Sequence, residues 1–429
     1  MVDYQRWICA LTVLGTCLAM VSASAHVEVV KTEDGYTFVK GGVPFVVKGA
    51  GASGIDLSTV VKRGGNSIRT WGIEEAQSTL DEAQKYGLTV LMGLPVAPPR
   101  FGFDYDNPEE VEVQRQAIRE AVTKYKDHPA LLGWILGNEL DMQAPDHKAY
   151  DEVNELAKIV NEIDPNHPTT TTIATFEKDI ILDIRKRTPD LDFISLQAYG
   201  ALALMPKAIS YLKDAPFMIT EWGPLGHWEV GKTRWGAPIE QTSTEKGRHY
   251  VASYRNWIQP FLGPALGSYA FLWGQKQERT STWFSLFTKD GEATAAVDAL
   301  EFVWTNRIPA NQAPLIESIV LARRTADKSI RLASGNKYTA KVNAMDPDGD
   351  EREYQWQIKP ESTETVIGGD YEEDISDLDG LFIDDATSES VSFNAPGTAG
   401  NYRIFVLIYD GNNSVAHANI PFLVFGKKR

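Results

Sequence analysis

The sequence predicts a (β/α)8 barrel, the TIM-barrel architecture, over residues 26–307, followed by a linker at 308–314 and a smaller C-terminal β-sandwich over 315–429. Three observations lead there. Short apolar runs alternate with helical stretches as far as Asn306. A segment with Pro309 and Pro314 among small polar residues then interrupts the pattern. Beyond it the period becomes the alternation of half-buried strands.

The elements follow in order. Residues 7–21 are an apolar run, preceded by Arg6 and closed by Ala23-Ser24-Ala25, the small-x-small pattern of a cleavable leader, so residues 1–25 are set aside as a signal peptide. The run is shorter than the roughly 20 residues that a membrane-spanning helix needs. Cys9 and Cys17 both fall inside it, which leaves the exported chain without disulfide or thiolate chemistry. Leu14-Gly15-Thr16-Cys17 loosely resembles a lipoprotein box, so lipid anchoring through Cys17 is the alternative to soluble export. A hairpin comes next, 27–30 and 36–40, turned by Glu33-Asp34-Gly35. Strands are then expected at 45–48, 67–71, 89–93, 132–136, 170–174, 193–197, 217–220 and 268–272.

The plainest helix between them is 108–125, where Val111, Ile118, Val122 and Tyr125 share a face. Asn107 is its cap, Pro108 its first residue, and Glu109 and Glu110 lie in its first turn. Eight strand and helix units fit a closed barrel better than an open doubly wound sheet. In the tail, 354–358, 391–393 and 402–408 alternate between Asp, Gly and Asn turns, as in an antiparallel sandwich.

Composition narrows the function. Lys+Arg 42 against Asp+Glu 58 gives a net charge of −16, which opposes any partner held through rows of phosphates, so no nucleic acid is expected. Gly49-Ala50-Gly51-Ala52-Ser53-Gly54 spells a dinucleotide-binding turn, but Arg69-Thr70-Trp71 stands where a ribose-binding acid belongs. The glycines are instead expected to bring the first loop close to substrate. No cofactor is expected.

Chemistry in such barrels sits at the C-terminal strand ends. The fourth strand runs into Gly137-Asn138-Glu139 and the seventh into Thr220-Glu221-Trp222. An ionisable group directly after a buried apolar strand is costly unless it serves a purpose. Strands four and seven face each other across the mouth, so the two side chains can approach to about 5 to 5.5 Å, the separation of a retaining glycosidase pair. Taken alone, each has an ordinary alternative: a polar strand terminus for Asn-Glu, an ion pair for Arg69, packing for Tyr199, and a turn for His128.

The run His128-Pro129-Ala130-Leu131-Leu132-Gly133-Trp134-Ile135-Leu136-Gly137-Asn138-Glu139, with Ile219-Thr220-Glu221-Trp222-Gly223, resembles glycoside hydrolase clan A. The resemblance covers the whole barrel. It implies Glu139 as acid and base, Asn138 as the ligand of the sugar's 2-hydroxyl, Glu221 as nucleophile, and Arg69, Tyr199 and Trp273 as supporting residues. On that reading Glu139 must hold its proton near neutral pH, while Arg69 and Tyr199 keep Glu221 ionised and oriented.

Trp71, Trp222, Trp228, Trp235, Trp273 and Trp283 fall at or just after strand ends and are expected to offer faces for pyranose rings. Trp134, inside a strand, is expected in the core. Trp228 and Trp235, in the loop 223–242, are expected to be exposed.

In the tail, Met345-Asp346-Pro347-Asp348-Gly349-Asp350 and Tyr409-Asp410-Gly411 resemble immunoglobulin-like or cadherin-like modules. Asp346, Asp348 and Asp350 suggest calcium, but the Glu closing an EF-hand loop is missing, so a solvated turn and no metal are expected. Residues 361–390 hold eleven acids and no Lys or Arg, read as a solvated acidic loop.

A clan A barrel with one C-terminal immunoglobulin-like module is most similar to the endo-β-1,3-glucanases of glycoside hydrolase family 158. That likeness implies a secreted retaining enzyme acting on a neutral β-glucan such as laminarin by double displacement, and an acidic chain suits a neutral polymer. An exo-β-glycosidase or β-glucan transglycosylase of the same clan is the alternative among enzymes. A non-catalytic glycan-binding protein is the alternative of another class.

Overall fold

Eight parallel strands close into a ring. In this computed structural model residues 26–144, 146–212, 215–364 and 369–426 are described, so the leader reading of 1–25, with Cys9 and Cys17, lies outside the described residues. The barrel strands are Val47–Ser53, Ser67–Arg69, Thr89–Leu94, Leu131–Leu136, a fifth split into Thr169–Thr170 and Thr172–Ile173, then Ile194–Gln197, Phe217–Trp222 and Ala265–Gly274. The eighth pairs with the first from Gly267↔Val47 to Gly274↔Ser53, which closes the sheet. The fifth is broken at Thr171, its first half pairing with strand four and its second with strand six.

Two apolar layers hold the ring. Outside it, Ile68, Met92, Trp134, Leu196 and Trp222 pack against helices such as Pro108–Tyr125 and Lys148–Ile163. The helix Pro108–Tyr125 has the expected bounds and buries Val111, Ile118, Val122 and Tyr125, and its Asn107 cap accepts from the Glu109 N–H at 3.1 Å. Inside, Leu91, Leu132, Phe193 and Met218 meet Val27 and Phe38 of the N-terminal hairpin, so the hairpin plugs one end of the barrel. Phe38 meets Phe193 edge to face at 5.5 Å.

The first barrel strand runs on through the glycine motif as far as Ser53, so all of it but Gly54 lies in the sheet and not in a loop after it. A Cβ on Gly49 would sit 2.3 Å from the Tyr269 ring, and one on Gly51 2.5 Å from the Trp71 ring. These glycines make room for the Tyr269 and Trp71 rings; the segment is strand where a loop was expected, and its Ser53 lines the cavity at the barrel mouth.

The second body is a sandwich. Leu315–Leu321, Lys337–Met345 and Ser390–Asn394 form one antiparallel sheet; Glu353–Pro360, Gly400–Tyr409 and Val415–Phe425 form the other, with Arg331–Ala333 parallel at its edge. Alternation sets its core, as along Glu353–Pro360, where Tyr354, Trp356 and Ile358 turn inward. This is the immunoglobulin-like arrangement.

The linker is tied to both bodies: Ala313 N–H donates to Asp298 at 2.7 Å and the Asn311 amide to Asp410 at 2.7 Å. The Asp-rich turn is not wholly solvated. Asp346, Asp350 and Asp410 gather with carboxylate oxygens within 4.8 Å of one another, while Asp348 accepts from the Gln312 N–H. Among the described residues no helix is long and apolar enough to cross a membrane.

Candidate active site

The wide end of the barrel holds a cavity of about 610 Å³, within the range of ligand sites, and both Glu139 and Glu221 line it. Each is buried, yet their surroundings differ.

Glu221 lies inside strand seven with its carboxylate gripped by three donors. Oε1 accepts from Arg69 Nη1 at 3.1 Å and Trp71 Nε1 at 2.9 Å, and Oε2 accepts from the Tyr199 hydroxyl at 3.0 Å. Bonds of this kind, one of them charge-assisted, fix the direction of a carboxylate. Burial and the charge on Glu221 push the Tyr199 phenol well up, so it remains a donor at any working pH. Arg69, fully buried, also donates from Nη2 to Asn138 Oδ1 at 3.0 Å and so joins the two strand ends.

Glu139 sits at the tip of the turn after strand four, with φ of 50°, following Gly137 at φ 82°. Left-handed backbone at a side chain with a Cβ costs energy and persists only where neighbours hold it. Here the Glu139 N–H donates to Thr172 Oγ1 at 2.8 Å, a hydroxyl from the broken fifth strand. No side-chain donor within the described residues meets its carboxyl, and burial, then the charges of Glu221 and Asp141, raise its pKa well above the ordinary carboxylate value. One carboxyl is thus held by three donors, while the other meets no side-chain donor among the described residues and has its pKa raised by burial.

Asn138 Oδ1 accepts from Arg69, from Gln197 Nε2 at 2.8 Å and from Thr172 Oγ1 at 3.3 Å. Its oxygen is saturated, and Nδ2 is left uncommitted among the described residues.

The tryptophans divide. Trp228 is 48% exposed, lines the cavity and meets Tyr199 edge to face at 5.6 Å, as expected of a sugar platform. Trp71 lines the cavity too, but its indole N–H serves Glu221.

The other four do not reach the cavity. Trp222 is 0% exposed and packs on Tyr250 and Tyr254 in the helix layer, because it follows Glu221 in a strand and alternation sends it to the opposite face. Trp273 stacks on Trp304 and donates to Thr59 on that same outer side. Pairing with the first strand slips between Ala270 and Trp273, so alternation cannot be counted through this stretch, and Phe271 faces the cavity instead. Trp283 is buried behind Phe271 and Phe284, its N–H donating to the Leu225 carbonyl. Trp235 is not among the lining residues; Arg234 beside it donates its N–H to Ser329 of the sandwich.

Sequence reasoning missed several lining residues. Gln197, a strand-end polar group, was findable by the rule that found Glu139, as was Thr172, which is not a lining residue but holds Asn138 and the Glu139 N–H. Glu229, Lys276, Glu278 and Tyr371 lie in loops and carry no comparable signal. Lys276 pairs with Glu278 at 2.9 Å, and Glu229 accepts from the N–H groups of Gly200, Ala201 and Gly226.

A Cβ on Gly93 of strand three would lie 2.6 Å from the Trp71 carbonyl carbon and 2.7 Å from the Thr70 oxygen, main-chain atoms with no room to move. Gly93→Ala is expected to cost about 1–3 kcal/mol in urea unfolding through such overpacking. It also displaces Trp71 from Glu221, so turnover falls with stability.

Residues 55–227 match the model of the glycosyl hydrolases family 2 TIM barrel domain. A beta-glucuronidase of Streptococcus agalactiae serotype V is 22% identical over 200 residues, covering 39% of this chain and 32% of that protein. A beta-galactosidase of Thermoanaerobacterium thermosulfurigenes is 24% identical over 207 residues, covering 48% and 26%. Of solved structures, a Ruminococcus gnavus beta-glucuronidase aligns with a TM-score of 0.52 at 18% identity over 65% of this chain and 54% of that one. Bacteroides uniformis beta-glucuronidase 2 aligns at 0.50 and 12% over 93% and 48%. The chain spans about a third or less of the curated relatives and about half of the solved ones. The chain is thus similar to glycoside hydrolases over its TIM barrel, the matching model being of family 2; the finer likeness to family 158 is not supported.

Proposed function

We propose that the chain is an exported retaining β-glycosidase that cuts a neutral β-glucan internally, at β-1,3 linkages, with the barrel as its catalytic part. The observation that supports it most is the contrast between the two carboxyls of the cavity, Glu221 gripped by Arg69, Trp71 and Tyr199 and Glu139 buried without a side-chain donor among the described residues, its pKa raised. Glu221 attacks the anomeric carbon while the glycosidic C–O bond breaks and Glu139 gives its proton to the leaving oxygen. The resulting glycosyl ester removes the charge on Glu221, so the pKa of Glu139 falls. Glu139 then takes a proton from the water that opens the ester. Asn138 Nδ2 is free to hold the 2-hydroxyl, and Trp228 offers its face to a ring. The leader pattern of residues 1–25 supports export to the periplasm or the medium.

Charge favours a neutral sugar. Among the described lining residues, Glu139, Glu221, Glu229 and Glu278 are acidic and Lys276 alone is basic, already paired with Glu278. A uronate would add a further carboxylate to that set. A second reading, an exo-acting β-glycosidase, draws on the wall that Gly369 and Tyr371 add to the cavity.

Products from laminarin, lichenan, mannan and aryl glycosides decide between the two. Oligosaccharides are expected from the earliest cuts of laminarin, and single sugars alone from the first cut onward support the exo reading. Because the first step needs protonated Glu139, kcat/KM is expected to persist above the ordinary carboxylate range and to fall as pH rises through the raised pKa. Asp141→Asn removes one of the negative charges that raise it, so the basic limb shifts to lower pH. An unmoved limb separates Asp141 from the acid.

A further inference from the structure

The acidic stretch of the second domain is not a free loop. Asp370 Oδ1 accepts from Arg100 Nη2 at 2.9 Å, and the Gly369 carbonyl accepts from Lys276 Nζ at 2.6 Å. Glu372, buried, accepts from the Arg279 N–H at 2.7 Å and from Gln277 Nε2 at 3.3 Å. Arg100 follows the third barrel strand, and Lys276, Gln277 and Arg279 follow the eighth. The run 369–372 is thus anchored to the rim of the mouth on two sides. Within it, Tyr371 lies between anchored neighbours, makes no hydrogen bond or ring contact among the described residues, is 83% exposed, and lines the cavity. A large ring held open over the cavity by its tethered flanks, with no packing role of its own, is what a stacking platform needs.

We propose that the second domain completes the substrate site, Tyr371 serving as the platform for a glucosyl ring lying beyond the cleavage point of a β-linked glucan. This rests on the reading of the cavity as a glycosidase site. It makes Tyr371 a determinant of chain-length preference, and it makes the tethers Asp370 and Glu372 positioning residues.

The test uses the full chain carrying Glu139→Gln as a non-cleaving trap. Calorimetric titration is made with a hexasaccharide of whichever panel glycan the parent cleaves, laminarihexaose on the present reading. Adding Tyr371→Ala is expected to raise Kd about tenfold, the scale of one lost ring contact. Tyr371→Phe, which keeps the ring, should bind like the trap alone, and all three should share one melting temperature. Glu372→Ala should weaken binding in the same direction by releasing the wall. A Kd for Tyr371→Ala equal to that of the trap, or a loss that Phe does not restore, overturns the inference while leaving the glycosidase reading intact. A parent that neither cleaves nor binds any glycan of the panel refutes the glycosidase reading itself, and the inference with it.

Discussion

Glu221→Ala lowers kcat by about 10⁴-fold or more, a loss typical of removing a nucleophile whose partners act as a unit with it. Glu139→Ala brings a loss of that order on glucans, whose leaving oxygen needs a proton. It brings a smaller one on aryl glycosides, whose phenolate leaves without help. Azide separates the two roles. In Glu221→Ala the space left by the carboxylate lies under the anomeric carbon, so azide attacks there once and gives the α-glycosyl azide. In Glu139→Ala the ester on Glu221 still forms from an aryl glycoside, azide opens it from the other face, and the second inversion gives the β-azide. Exchanged products reverse the assignment. Full activity in either variant removes that carboxyl from the reaction, and binding without turnover in the parent leaves the glycan-binding alternative.

How far the sequence carried this can be read from where it stopped. Glu139, Glu221, Asn138, Arg69 and Tyr199 all lie at strand ends or shortly after them; the structure joins the last four side chains in one network and ties Glu139 to it through its N–H and Thr172. Barrel topology converts a position along the chain into a position at the mouth, so Glu139 and Glu221 were legible once eight strands had been counted, whereas Asn138, Arg69 and Tyr199 were implied by the resemblance to clan A. Four of the six tryptophans were not legible, because being near a strand end does not say which face. Trp222 lost its expected place to simple alternation and Trp273 to a register slip that no pattern announces.

The second domain's reach into the site was hidden for another reason. Asp370 and Arg100 stand 270 positions apart, and an acidic stretch reads as solvated whenever its cations are remote in sequence. Glu372 pairs with a backbone N–H, which leaves no compositional trace at all.

Lys246→Met is expected to cost about 3–5 kcal/mol at pH 7, the penalty of leaving a buried partner uncompensated. Lys246 and Glu240 are both buried, with Lys246 Nζ donating to Glu240 Oε1 and to the Thr282 carbonyl, each at 2.6 Å. The sandwich closes the far side: Asn419 Nδ2 donates to Glu240 Oε2 at 2.6 Å, and Arg403 reaches the Pro238 carbonyl at 2.9 Å. Burial pushes Glu240 upward, but Lys246, then His417 and Arg403, together outweigh burial and bring the carboxyl down to about 2. For Lys246 the balance runs the other way, burial lowering its pKa more than Glu240 restores it, so the intact pair contributes little net stability.

Removing one member is different. In the parent, the stabilisation from Glu240 is present above its unfolded value of 4.5 and disappears only as pH falls through about 2. Without Lys246 the folded pKa of Glu240 rises above the unfolded one. The variant's deficit is then largest near neutrality and shrinks toward pH 4, where Glu240 takes up a proton. Chemical denaturation at both pH values reads this sign, and Lys246→Met with Glu240→Gln should recover much of the loss. A deficit that does not change with pH would assign the cost to packing alone. The same interface fixes the sandwich that carries residues 369–372, so the single variant is also expected to weaken glycan binding before it unfolds the barrel.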